Sequence, residues 1–96
     1  MKRTVLLLVL AGCARAMPPV AMAIDADRSH VELADLQRGR ELLVHKCGGS
    51  CHQVPLPTAH AAAEWPAKLD EMSARAGLDG TERRLIEQYL VTMASR

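Results

Sequence analysis

From Leu33 onward the apolar residues recur at intervals of three and four. Leu33, Leu36, Leu43 and Cys47 form one stripe, and Trp65, Leu69, Met72 and Ala76 form a second. Leu85, Ile86, Tyr89, Leu90 and Met93 form a third. This is the spacing of amphipathic helices, and no segment alternates with the two-residue period of a strand. The pattern therefore predicts an all-α domain of three or four short helices. Local signals supply the punctuation. Ser29-His30-Val31-Glu32 fits a capping box that opens the first stripe. Gly39 marks either a break within that stripe or a point where another helix comes close. Gly48-Gly49-Ser50 ends it, and Pro55 and Pro57 exclude regular structure between Cys51 and Thr58. Thr58 is the expected N-cap of an Ala-rich stretch, and Pro66 suits the first turn of a helix opening at Trp65. Gly77 is the expected C′ residue of that helix. Thr81 is the expected cap of the last one, with Leu78 stapled on Leu85.

The N-terminus departs from this pattern. Lys2 and Arg3 precede an apolar run from Thr4 to Ala11, the form of an export signal, here assigned to residues 1–23. The run is too short to span a bilayer. Two cleavage sites compete. Leu10-Ala11-Gly12-Cys13 resembles a lipobox at 10–13, where a bacterial lipoprotein is cut before a diacylated cysteine. Ala21-Met22-Ala23 is an A-x-A site, with Pro18-Pro19 just upstream. Either cut places the mature chain outside the cytoplasm, in the periplasm, and acylation of Cys13 would also anchor it to the membrane. The aperiodic stretch from Cys13 to about Arg28 reads as a tether or as part of the leader, leaving 29–96 as the domain.

Composition changes the picture of the core. Hydrophobic residues make up 49% of the 96, but fifteen are alanine and only 2% of the chain is aromatic. A large aromatic core, a second domain and a deep side-chain active site are excluded. A domain this small needs a staple such as a metal, a cofactor or a disulfide. The net charge of +1, with no basic run interleaved with aromatics, argues against nucleic-acid binding. No nucleophile–base pair or carboxylate dyad stands at an informative spacing. Asp70, Glu71, Glu82 and Glu87 read as helix-surface charges, so the chain is not expected to be an enzyme. The three cysteines reduce to one close pair, Cys47 and Cys51, once Cys13 is acylated or removed.

That pair lies in the densest chemical stretch, His45-Lys46-Cys47-Gly48-Gly49-Ser50-Cys51-His52. Two cysteines followed at once by histidine can hold a haem. The thiols add to the vinyl groups and the adjacent imidazole reaches the iron. The usual spacing is C-x-x-C-H, whereas here it is C-x-x-x-C-H. The vinyl positions are fixed, so the additional residue must bulge outward, and Gly48 and Gly49 accept positive φ most easily. The same residues also suit a zinc site of Cys47, Cys51, His52 and His45, or a disulfide between Cys47 and Cys51.

The surroundings of the motif favour haem. Arg38-Gly39-Arg40-Glu41-Leu42-Leu43-Val44-His45-Lys46-Cys47 resembles the N-terminal helix of class I c-type cytochromes, in which a glycine precedes the first haem cysteine by eight positions. Glu82 to Leu90, ending in Ile86-Glu87-Gln88-Tyr89-Leu90, resembles their C-terminal helix. The resemblance covers roughly residues 36–94. It implies a small cytochrome c-like domain around one covalent haem c, with the two helices crossing where Gly39 meets Tyr89. His52 would be the proximal iron ligand.

Met72 is similar in position to the family's thioether ligand, although its shared face with Trp65 and Leu69 also suits an ordinary core residue. His60 is a rival ligand, and an open sixth position would make the domain a gas-binding module. Met93 reads as helix packing and His45 as a surface residue. In the family a proline carbonyl accepts the ligand histidine's Nδ1–H, a role open to Pro55 or Pro57. Lys46 could aid docking at the haem edge. The implied function is electron transfer by a monomer that meets redox partner proteins.

Overall fold

The computed structural model describes residues 16–48 and 53–96, and the regular elements there are helical throughout. Four α-helices run in chain order: α1 Ala23–Ser29, α2 Leu33–Gly48, α3 Trp65–Ala76 and α4 Gly80–Ala94. Two 3₁₀ turns, Pro57–Ala59 and Ala62–Glu64, connect α2 to α3. The all-α expectation holds.

The three predicted stripes become three buried faces. Leu36, Leu43 and Cys47 of α2 pack with Trp65 and Leu69 of α3 and with Leu85, Ile86, Tyr89, Leu90 and Met93 of α4. Leu42 joins them, while Leu33 and Met72 are partly buried at the edge of the same cluster. α2 runs unbroken through Gly39, so that glycine marks a close approach and not a break. A Cβ there would lie 2.9 Å from Tyr89 Cβ and closer still to the Leu85 carbonyl oxygen. Only a residue without a side chain lets the α2 and α4 backbones touch at this depth. The loss of helix propensity at Gly39 is offset by the large Tyr89 side chain buried at the crossing.

Helix ends follow the predicted chemistry in part. Gly77 closes α3 in the left-handed conformation (φ 66°, ψ 38°), donating its N–H to the Ser73 carbonyl. Pro66 occupies the first turn of α3.

Three cap assignments need correction. Ser29 does not open α2, because it is the last residue of α1, and its hydroxyl donates back to the Asp25 carbonyl at 2.8 Å. His30 follows with φ 56° and ψ 34°, which stops α1. The Glu32 carbonyl then accepts the first backbone bonds of α2, from Asp35 and Leu36. Thr58 lies inside a 3₁₀ turn that starts at Pro57 and caps no helix. Thr81 is likewise displaced, since the reciprocal box forms between Asp79 and Glu82. Asp79 Oδ1 accepts the Glu82 N–H at 2.8 Å and Glu82 Oε1 accepts the Asp79 N–H at 3.1 Å. A carboxylate accepting two residues earlier leaves Thr81 inside the first turn. The staple position opposite Leu78 is then Arg83 and not Leu85, and Leu78 serves as a partly buried core residue.

From Pro18 onward the stretch read as a tether or as part of the leader packs against the helices. Pro18 and Ala21 are buried, and α1 follows directly. The segment lacks a hydrophobic period because single residues and polar contacts hold it, not an apolar face.

Candidate functional site

The C-terminal turn of α2 carries the first half of the cysteine–histidine motif. Cys47 is buried in the core cluster, whereas His45, two residues earlier and about 200° around the helix, is exposed. His45 is therefore a surface residue, as expected, and faces away from Cys47. Gly48 remains in helical conformation as the last residue of α2, so it does not supply the positive φ expected of a bulge. A Cβ on Gly48 would come within 3.0 Å of Val54 Cγ2, which shows that the chain returns across the end of α2 immediately after the motif. Gly49, Ser50, Cys51 and His52 lie outside the described residues, as does Cys13.

Trp65 organises the return. Its buried Nε1–H donates to the Pro57 carbonyl at 2.9 Å. The indole thus engages one of the two carbonyls considered for the His52 Nδ1–H. His60 stacks edge-on against Trp65, with ring centroids 4.9 Å apart, and its Nδ1 is 3.6 Å from Glu64 Oε2. Both neighbours hold His60 beside α3. Met72, two turns after Trp65, packs against the edge of the cluster that contains Cys47. Met93 is fully buried in α4, in keeping with helix packing.

Charges clamp the helices around this core. Lys46 Nζ lies 3.4 Å from Glu82 Oε2, tying the last turn of α2 to the first turn of α4. Its charge is therefore shared within the fold and is not displayed alone at the motif. Arg83 lies 2.6 Å from Asp70 and also donates to the Pro66 carbonyl at 3.1 Å, joining α4 to α3.

Periodicity missed a second polar centre. Asp25 is buried and accepts from Arg96, Arg28 and the Met22 N–H. The Arg96 hydrogen bond, against the penalty of burial, holds its carboxyl well below the usual carboxylate range. Its sequence signal is thin, since Asp25, Asp27 and Arg28 close a stretch that is otherwise small and apolar.

Compared with protein-family models, with curated proteins and with solved structures, the chain has no significant match. Among the described residues, no three His, Cys, Asp or Glu side chains converge as a metal site, and no helix is long and apolar enough to cross a membrane.

Of the residues expected to hold a haem, Cys47 and Met72 are the described ones. A cysteine at the end of α2 and the thioether of Met72 border one apolar cluster. That cluster contains only two aromatic side chains, Trp65 and Tyr89. Among the described residues the buried Ser73 Oγ, next to Met72, has no hydrogen-bond partner.

Proposed function

We propose that this protein is an exported c-type cytochrome that transfers single electrons through one covalent haem c. The observation that carries the reading is the pairing of Cys47, buried at the end of α2, with the backbone-to-backbone crossing of α2 and α4 at Gly39 and Tyr89. The crossing packs together the same two helices that resemble the terminal helices of class I cytochromes, and the motif begins where α2 ends.

In this reading Cys47 and Cys51 would hold the macrocycle through thioether bonds, and His52 and Met72 would hold the iron. Bound there, the haem supplies one-electron exchange between Fe(III) and Fe(II). The chain's own work is to position and enclose. α2 presents Cys47 from a rigid turn clamped by the Lys46–Glu82 ion pair. α3 brings Met72 to the edge of the core, and the Trp65–Pro57 bond fixes the loop that returns from the motif. Side chains transform no substrate. The partners are redox proteins met in the periplasm or at the membrane through small transient interfaces.

The test is expression of the full chain with a cytochrome c maturation system. The product should be red and should keep its haem through acid–acetone extraction. A colourless protein, or haem that extracts freely, overturns the proposal.

A further inference from the structure

The segment ahead of α2 is tied to the far end of the chain. Arg40 Nε donates to the Pro18 carbonyl at 2.9 Å. The hydroxyl of fully buried Tyr89 donates to the Pro19 carbonyl. Arg96 reaches both the Val20 carbonyl at 3.4 Å and the Asp25 carboxylate at 2.8 Å. Asp25 in turn accepts the Met22 N–H at 2.8 Å, and the Met22 carbonyl accepts the N–H groups of Asp25 and Ala26, forming the first turn of α1. Large apolar side chains do not hold this segment, because Met17, Val20, Met22 and Ile24 are each more than half exposed. Backbone carbonyls, buried Pro18 and buried Ala21 make the attachment.

Such contacts bear on where the leader is removed. Hydrolysis after Ala23 would discard Pro18, Pro19, Val20, Ala21, Met22 and Ala23. Buried Tyr89 would lose its acceptor, Arg40 its carbonyl partner and Asp25 one of its donors, and α1 would lose its first turn. The packing of buried Pro18 and Ala21 would be lost with them. We infer that Pro18–Asp25 is retained in the mature protein as a clasp on α4, and that the leader is hydrolysed N-terminal to Pro18. Water adds across one peptide bond there, leaving a carboxylate on the leader and an ammonium on the mature chain. Of the two candidate sites, only the Gly12–Cys13 bond meets this condition. The A-x-A sequence at Ala21–Ala23 is then part of the fold and not a processing site.

This inference rests on the export named in the proposed function but is independent of haem. Its test is the N-terminus of the full chain expressed in a bacterium and recovered from the cell envelope, read by intact mass and N-terminal sequencing. A start between Cys13 and Pro18 is expected, at Cys13 in particular. A start at Ile24, at any residue from Pro19 to Asp25, or an uncut Met1 overturns it. Ala23→Glu blocks an A-x-A cut while placing an acidic residue at a helix N-terminus, where it is tolerated. The variant should start at the same residue as the parent, and accumulation of its precursor overturns the inference. A colourless product with the expected N-terminus would sink the haem proposal and leave the clasp standing.

Discussion

Gly39 and Tyr89 mark the point where α2 and α4 meet backbone to backbone, with the Leu85 carbonyl pressed into the space a side chain would need. A glycine that lowers helix propensity thus fixes the distance between the two longest helices. The contact also places the Tyr89 ring beside the clasp, where its hydroxyl reaches Pro19.

Gly39→Ala should destabilise the fold even though alanine is the better helix former. Propensity gains about 1 kcal/mol, but forcing a methyl against a backbone carbonyl costs about 1–3 kcal/mol, and a carbonyl in a helix has little room to yield. Gly80→Ala is the control, because a Cβ there meets nothing within 4 Å. Thermal unfolding followed by circular dichroism should show a lowered midpoint for the first variant and an unchanged or raised one for the second. Equal effects would refute the crossing.

Tyr89 gives a clean titration because it is the chain's one tyrosine. Burial pushes its phenol up to about 12, against about 10 for an unfolded chain. The neutral form is favoured by folding, so its contribution to stability is complete below about pH 10 and is lost as pH rises toward 12. Ultraviolet difference spectra should show no phenolate at pH 10–11 and a rise that coincides with unfolding. Half-ionised tyrosine in folded protein near pH 10 would contradict its burial.

Asp25 predicts the opposite limb. Its carboxyl is held low mainly by Arg96, so the stabilisation is present above the ordinary carboxylate value of about 4 and is lost as pH falls below it. Asp25→Asn should lower the thermal midpoint at neutral pH and flatten its decline on acidification. High salt should narrow the difference between parent and variant, since Arg96 is partly exposed and the pair is screened there. Parallel acid profiles for the two proteins would show that Asp25 carries none of the acid sensitivity.

Met72 separates ligand from core residue. In the haem-loaded protein, Met72→Ala should free the sixth position, so that the reduced variant binds carbon monoxide at once while the parent does not. Because Met72 is only partly buried, the stability loss should fall near the low end of the 2–5 kcal/mol range for methionine truncation. A variant with the parent's spectrum and only a lowered midpoint would assign Met72 to packing.

The legible part of the molecule was the part written in periods. Three helical faces and the end of α3 at Gly77 follow from spacing and backbone chemistry within a few residues. For the same reason Cys47 falls on the buried face of α2 and Met72 at the partly buried edge of α3, whereas Cys51 and His52 lie outside the described residues. The caps were not, because several residues near each helix start can accept a hydrogen bond, and the choice depends on where the preceding element stops. His30 in a left-handed conformation consigned Ser29 to α1, and the Asp79–Glu82 box displaced Thr81.

By itself the sequence determined which faces are apolar and where one glycine had to be small, because helical period and backbone sterics are local properties. Only the tertiary structure decided that Pro18–Asp25 belongs to the fold. That attachment consists of single hydrogen bonds from Arg40, Tyr89 and Arg96, made to partners from 22 to 76 positions away. A backbone carbonyl is present at every residue, so no pattern of side chains announces which one a distant arginine or tyrosine will reach.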